Sequence, residues 1–164
     1  MNERWRGRAR PLAAGAVCAI VVAGAGGAMT DLGPWYESLA KPAWQPPGWL
    51  FGPVWTTIFA LCAYAFAESW ARAPSRAARL TILWLFAFNM FLNVMWSGLF
   101  FTLRRPDWAL IEVALLWLSI AALIRVLAPV SRRAAWCLVP YLVWVGIAAA
   151  LNLEVVLLNA PFDG

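Results

Sequence analysis

Histidine is absent from this sequence, cysteine occurs only three times, and charged residues make up 13% of the chain. Without imidazole, the commonest acid–base group and metal ligand near neutral pH is missing. Cys18, Cys62 and Cys137 are odd in number and all lie in or beside apolar stretches. They read as small core residues, with neither a disulfide framework nor a metal site expected. The scarcity of charge, set against 63% hydrophobic residues, excludes an ordinary soluble domain.

What is there is a set of five long apolar windows: Leu12 to Thr30, Trp49 to Ala67, Leu80 to Leu103, Trp108 to Ile124 and Ala134 to Leu153. About 20 apolar residues cross a hydrocarbon core as a helix, so each window is a candidate span. Together they take up most of the chain and leave no room for a second domain. The expectation is an all-α membrane protein, one five-transmembrane-helix bundle over residues 1–164 with a basic arm at 1–11.

The net charge of +5 raises nucleic acid as a partner, and the placement of the basic residues answers it. Arg4, Arg6, Arg8, Arg10, Arg72, Arg76, Arg79, Arg125, Arg132 and Arg133 fall on one side of a five-span chain; only Lys41, Arg104 and Arg105 fall on the other. Basic loops face the cytoplasm, which predicts a cytoplasmic amino terminus and an outward carboxyl terminus. Topology and anionic lipid head groups account for the charge, and no nucleic acid is expected.

Between the first two windows lies an unusual loop, 31–54, rich in proline (Pro42, Pro46, Pro47, Pro53) and tryptophan (Trp35, Trp44, Trp49), with Trp55 just beyond. Prolines fix their own φ and push the preceding residue toward extended backbone, so this loop is stiff and mostly non-helical. Its aromatic rings suit either a membrane-interface belt or the lid of a pocket. The first window has a second reading as a cleavable signal peptide, since an arginine-rich start precedes an apolar run and small residues. If retained, its pairs Gly15 and Ala19, Ala23 and Gly27, and Gly24 and Ala28 allow close helix packing or a dimer contact.

Three stripes follow from helical spacing. Trp55, Phe59 and Phe66 share a face of the second span. Asn89, Asn93, Trp96 and Phe100 share a face of the third, and the two amides must turn inward because hydrocarbon cannot satisfy them. Trp144, Ala148 and Asn152 share a face of the fifth. Packing and ligand contact are both open readings of these stripes. Glu112, just inside the fourth span, is expected to snorkel or to pair with a nearby arginine.

Several blocks in this order resemble the tryptophan-rich sensory protein and translocator protein (TspO, peripheral-type benzodiazepine receptor) family: Trp35-Tyr36, Leu39, Lys41-Pro42, Trp44, Pro46-Pro47 and Trp55, then Asn93, Trp96-Ser97 and Phe100-Phe101. Pro140-Tyr141, Trp144, Leu151-Asn152 and Asn159 complete the pattern. The resemblance implies a retained first helix, a homodimer, and a loop that acts as a lid over a porphyrin-binding pocket. It implies ligand contacts from Trp35, Tyr36, Trp44, Pro47, Trp55, Phe59, Asn89, Asn93, Trp96, Trp144, Ala148 and Asn152, with Lys41 or the amides within reach of the propionates. Asn89 stands where many relatives have Gln. Leu153 and Leu157 replace the Tyr and Arg of the mammalian sterol segment, so sterol recognition by that route is not implied.

The function expected is therefore binding of a porphyrin, protoporphyrin IX or haem, by a sensor or transporter-like regulator, with no other cofactor. A light-dependent porphyrin-degrading enzyme is the alternative, with Trp55 and Trp144 as its redox residues. The pocket otherwise has no His, paired carboxylates or activated nucleophile for catalysis. A regulatory membrane protein acting through a partner is a third reading.

Overall fold

The computed structural model describes residues 3–162, and of residues 3–10 the backbone path alone. The elements are α1 (Glu3–Met29), α2 (Pro34–Ser38), α3 (Gly48–Arg72), α4 (Arg76–Ser97), α5 (Pro106–Leu127), α6 (Arg132–Cys137) and α7 (Val139–Asn159), with a π-helical turn at Gly98–Thr102. No strand occurs among the described residues.

Local chemistry sets the helix boundaries. Ser75 and Ser131 are extended N-caps whose hydroxyls accept from the N–H of Ala78 and Ala134, at 3.1 and 3.4 Å. Pro34, Pro106 and Pro140 stand in the first turns of α2, α5 and α7, where a missing N–H costs little. The aromatic loop is non-helical over 39–47, with a turn at 43–44, but α2 interrupts it and its last residues, 48–54, already belong to α3, so the loop ends earlier than its sequence predicts.

Five segments of 19, 25, 27, 22 and 28 residues are apolar and long enough to cross a bilayer: Pro11–Met29, Gly48–Arg72, Arg76–Thr102, Pro106–Leu127 and Arg132–Asn159. The protein is an all-α, multi-pass membrane protein. The fifth segment is broken at Leu138, where α6 gives way to α7.

In space the spans form a ring whose order differs from the chain. α1 packs on α3, α3 meets α6 and the start of α7, α7 packs on α5, and α5 on α4. α4 returns to α1 and closes the circle. Gly15 makes the α1–α3 approach possible, since a Cβ there would lie 3.2 Å from the Ala63 Cα and carbonyl oxygen. Gly24 and Gly27, by contrast, meet nothing within 4 Å. Of the small-residue pairs, Gly15 serves packing within the chain and those at 24 and 27 leave an open face.

The π-helical turn adds a residue to the end of α4 and turns both Phe100 and Phe101 inward. They meet Trp96, Trp35 and Tyr36 at ring-centroid distances of 5.3 to 6.2 Å and bind the aromatic loop to this end of the bundle. The chain then reverses through Arg104, whose φ of 53° is the left-handed conformation that favours glycine. Its guanidinium lies 5.6 Å from the Trp35 ring.

Candidate functional site

Three amides organise the interior. The Asn89 amide donates to Ser119 Oγ at 2.8 Å, and Ser119 donates onward to the Leu116 carbonyl at 2.7 Å. Asn93 donates to Tyr141 Oη at 3.0 Å. Asn152 accepts from Trp96 Nε1 at 3.2 Å and donates to the Pro106 carbonyl at 2.8 Å. Each amide therefore ties its span to another, as hydrocarbon surroundings demand.

Aromatic rings pack around these bonds. Trp55 stacks on Phe59 at 5.4 Å and meets Tyr141 edge-on at 6.1 Å. Trp144 is buried and meets Phe51 edge-on at 5.4 Å.

On the other side of Asn89 and Asn93 lies a cavity of about 300 Å³. Its inner wall is Phe59, Cys62, Phe66, Phe86, Asn89, Asn93 and Tyr141. α1 supplies the facing wall with Gly15, Cys18, Ala19 and Val22. Among the described residues no charged side chain lines it. The volume is at the small end of the range for ligand pockets, about 300 to 1,000 Å³. Asn93 donates one hydrogen to Tyr141 and keeps a second N–H and a carbonyl oxygen with which to meet a guest.

The residues singled out in the sequence fall into three places. Phe59, Asn89 and Asn93 line the cavity. Trp55, Trp96, Trp144 and Asn152 lie in the packed interior behind it, Trp55 one ring removed through Phe59, and Ala148 is half-buried on α7. Trp35, Tyr36, Trp44 and Pro47 stay with the loop and do not line the cavity. Trp35 and Tyr36 pack on the phenylalanines of the π-helical turn; Pro47 is exposed at the start of α3.

The loop is fastened to the end of α7. Ala40 donates its N–H to Asn159 Oδ1 at 2.8 Å, and Asn159 Nδ2 donates back to the Ala40 carbonyl at 2.9 Å. Trp44 Nε1 donates to Glu154 at 2.8 Å. Lys41 is turned back on its own loop: its ammonium donates to the carbonyls of Tyr36, Leu39 and Glu37 at 2.5, 3.2 and 3.4 Å, with the Tyr36 ring 4.4 Å away. It acts as a cap for α2 and is not extended toward a guest.

Sequence reasoning left Tyr141 out of the candidate contacts, although it stands one turn before Trp144 on the same stripe as Ala148 and Asn152. Glu112 also departs from expectation. It is 3% exposed, and among the described residues neither carboxyl oxygen has a hydrogen-bond partner. Of the two arginines near it in sequence, Arg104 lies over the Trp35 ring and Arg105 is bonded to Asp107 at the very start of α5, more than a turn away. Helical phase turns Glu112 to the same inner face as Ala109, Leu116 and Ser119, so it cannot snorkel.

A ring of five spans, tied by buried amides and enclosing an apolar cavity, defines a polytopic helical membrane protein with an internal pocket. The chain belongs to the TspO/MBR family, whose pattern it matches over residues 14–158. It is 38% identical to the tryptophan-rich protein TspO of Chlorobaculum tepidum over 125 residues, 76% of this chain and 79% of that one. It is 36% identical to protein CrtK of Rhodobacter capsulatus over 141 residues, 86% and 88% of the two chains. Similarity extends to the translocator protein of Bos taurus, 36% identical over 119 residues, 72% of this chain and 70% of that one.

Proposed function

We propose that this protein binds a tetrapyrrole, protoporphyrin IX or haem, within its bundle and acts as a sensor or carrier for it. The observation that carries the reading is the cavity walled by Phe59, Phe66 and Phe86, with Asn89, Asn93 and Tyr141 at its inner end. Aromatic walls favour a flat macrocycle, and amide N–H groups and a phenol suit its ring nitrogens or carboxylates. The chain has no histidine, and the two cysteines on the cavity wall, Cys18 and Cys62, sit in apolar surroundings that disfavour a ligating thiolate, which favours the metal-free porphyrin.

Titration of the detergent-purified protein with protoporphyrin IX in the dark tests this. Expected is saturable quenching of tryptophan fluorescence, weakened at least tenfold in Ala19→Phe, which fills the cavity, and in Asn93→Leu. Equal binding by all three proteins, or none by wild type, sinks the reading.

Light-driven breakdown of the bound porphyrin, with dioxygen as oxidant, is a second reading. Trp55 favours it, since its ring stacks on the cavity wall at Phe59. The expected sign is bleaching in light that Trp55→Phe abolishes while dark binding persists.

The membrane orientation belongs to the same proposal: amino terminus in the cytoplasm, aromatic loop and carboxyl terminus outside. A fluorescent reporter fused to the amino terminus should light up in the cytoplasm, and a periplasm-dependent reporter should be active only at the carboxyl terminus.

A further inference from the structure

The cavity has an opening, and the opening does not lie under the aromatic loop. Its rim is Ala14 and Cys18 on α1 and Leu83 and Ala87 on α4, all exposed, and all within membrane-spanning segments. α1 is pressed onto α3 at Gly15. It approaches α4 near its far end, where a Cβ on Gly26 would lie 3.6 Å from Ser97 Oγ and one on Gly98 would lie 3.5 Å from the Met29 sulfur. Toward the start of α1 the two helices part, and the cavity fills the gap. The loop, meanwhile, is held down at its own end by the paired Asn159–Ala40 bonds and by Trp44 on Glu154.

We infer that the gap between α1 and α4 is a lateral portal to the bilayer, through which a lipid acyl chain occupies the cavity when no other guest is present. An apolar void that borders hydrocarbon does not stay empty, because its walls would forfeit their dispersion contacts. Nor does it suit water, which needs two to four polar partners and finds them only at Asn89, Asn93 and Tyr141. A bound tetrapyrrole, on the function proposed above, displaces the chain and arrives by the same route, already dissolved in the membrane.

The test uses the full-length protein in phosphatidylcholine vesicles containing a phospholipid with a diazirine near the end of one acyl chain. A phospholipid cannot leave the bilayer to pass beneath the loop, so it reaches the cavity wall only from the side. After irradiation, mass spectrometry should find label on Phe59, Cys62 and Met90, as well as on the outward-facing Trp84 and Phe88. Ala87→Trp and Cys18→Trp, each closing one rim, should lower wall labelling at least fivefold and leave Trp84 and Phe88 unchanged. Asn159→Ala, which frees the loop, should change neither. Label on Trp84 and Phe88 with none on the wall overturns the portal, as does wall labelling indifferent to both rim variants. Protoporphyrin IX added to the vesicles should suppress wall labelling. If it does not while the rim variants behave as expected, the portal stands and the tetrapyrrole assignment falls.

Discussion

Asn152 holds two groups at once, the indole N–H of Trp96 and the carbonyl of Pro106, and is 1% exposed. Asn152→Leu leaves both without a partner. The expected cost is about 2 kcal/mol, the sum of two interhelical bonds of modest strength, read as a lower Tm in detergent with a shift in tryptophan emission. Glu112 is the opposite case, a buried carboxyl with no hydrogen bond to lose. Glu112→Leu, of similar size and apolar, should stabilise the bundle by about 1 to 3 kcal/mol in the same assay. The inward direction of the amides was legible in their spacing, because an unsatisfied amide in hydrocarbon has nowhere else to turn. Their partners were not. Ser119, Tyr141 and the Pro106 carbonyl become neighbours only through the relative heights of packed helices, which no single segment encodes.

Between elements, the small residues of α1 illustrate how similar motifs part company. A side chain at Gly15 would strike backbone atoms of Ala63, which cannot rotate away, whereas Gly27 faces open space. Gly15→Val should therefore push α1 off α3 and lower stability by about 1 to 3 kcal/mol, while Gly27→Ala should be neutral or slightly stabilising. Thermal unfolding of the two variants side by side checks both. The loop carries its own signature. Burial pushes the Tyr36 phenol above its usual 10.0, although a hydrogen bond with Gln45 works against the shift. A raised pKa in the folded state means that the neutral phenol contributes stability in full below about pH 10, and that this contribution is lost as pH rises through the folded value. Amide hydrogen exchange in residues 39–41 should accelerate above pH 10, and less so in Tyr36→Phe. The largely non-helical path of the loop over 39–47 was readable from its prolines. The π-helical turn was not, because Gly98–Thr102 holds no proline or cap that marks it, and the extra residue is recognisable only from the two phenylalanines that it buries.

For the whole molecule, hydrophobic length alone was enough for five spans. The cavity was only partly legible: Phe59, Asn89 and Asn93 stood on stripes, but the wall built by α1 has no polar or aromatic residue to advertise it. Because α1, α3, α4 and α7 all border the cavity, a guest there steadies most of the bundle. On the tetrapyrrole reading, protoporphyrin IX at a hundred times its Kd should stabilise the protein by about 2.7 kcal/mol, seen as a concentration-dependent rise in Tm. Ala19→Phe, with the cavity filled, should lose that dependence.

The ring order has a consequence for biosynthesis. Spans leave the ribosome in the order α1, α3, α4, α5 and then α6 with α7, yet the last of these is seated between α3 and α5. Until it inserts, α3 and α5 lack the neighbour that separates them, and Asn93 and Trp96 face bare lipid without Tyr141 and Asn152. A nascent chain stalled before residue 139 thus holds one amide, Asn93, and one indole N–H, Trp96, without the partners they have in the finished bundle.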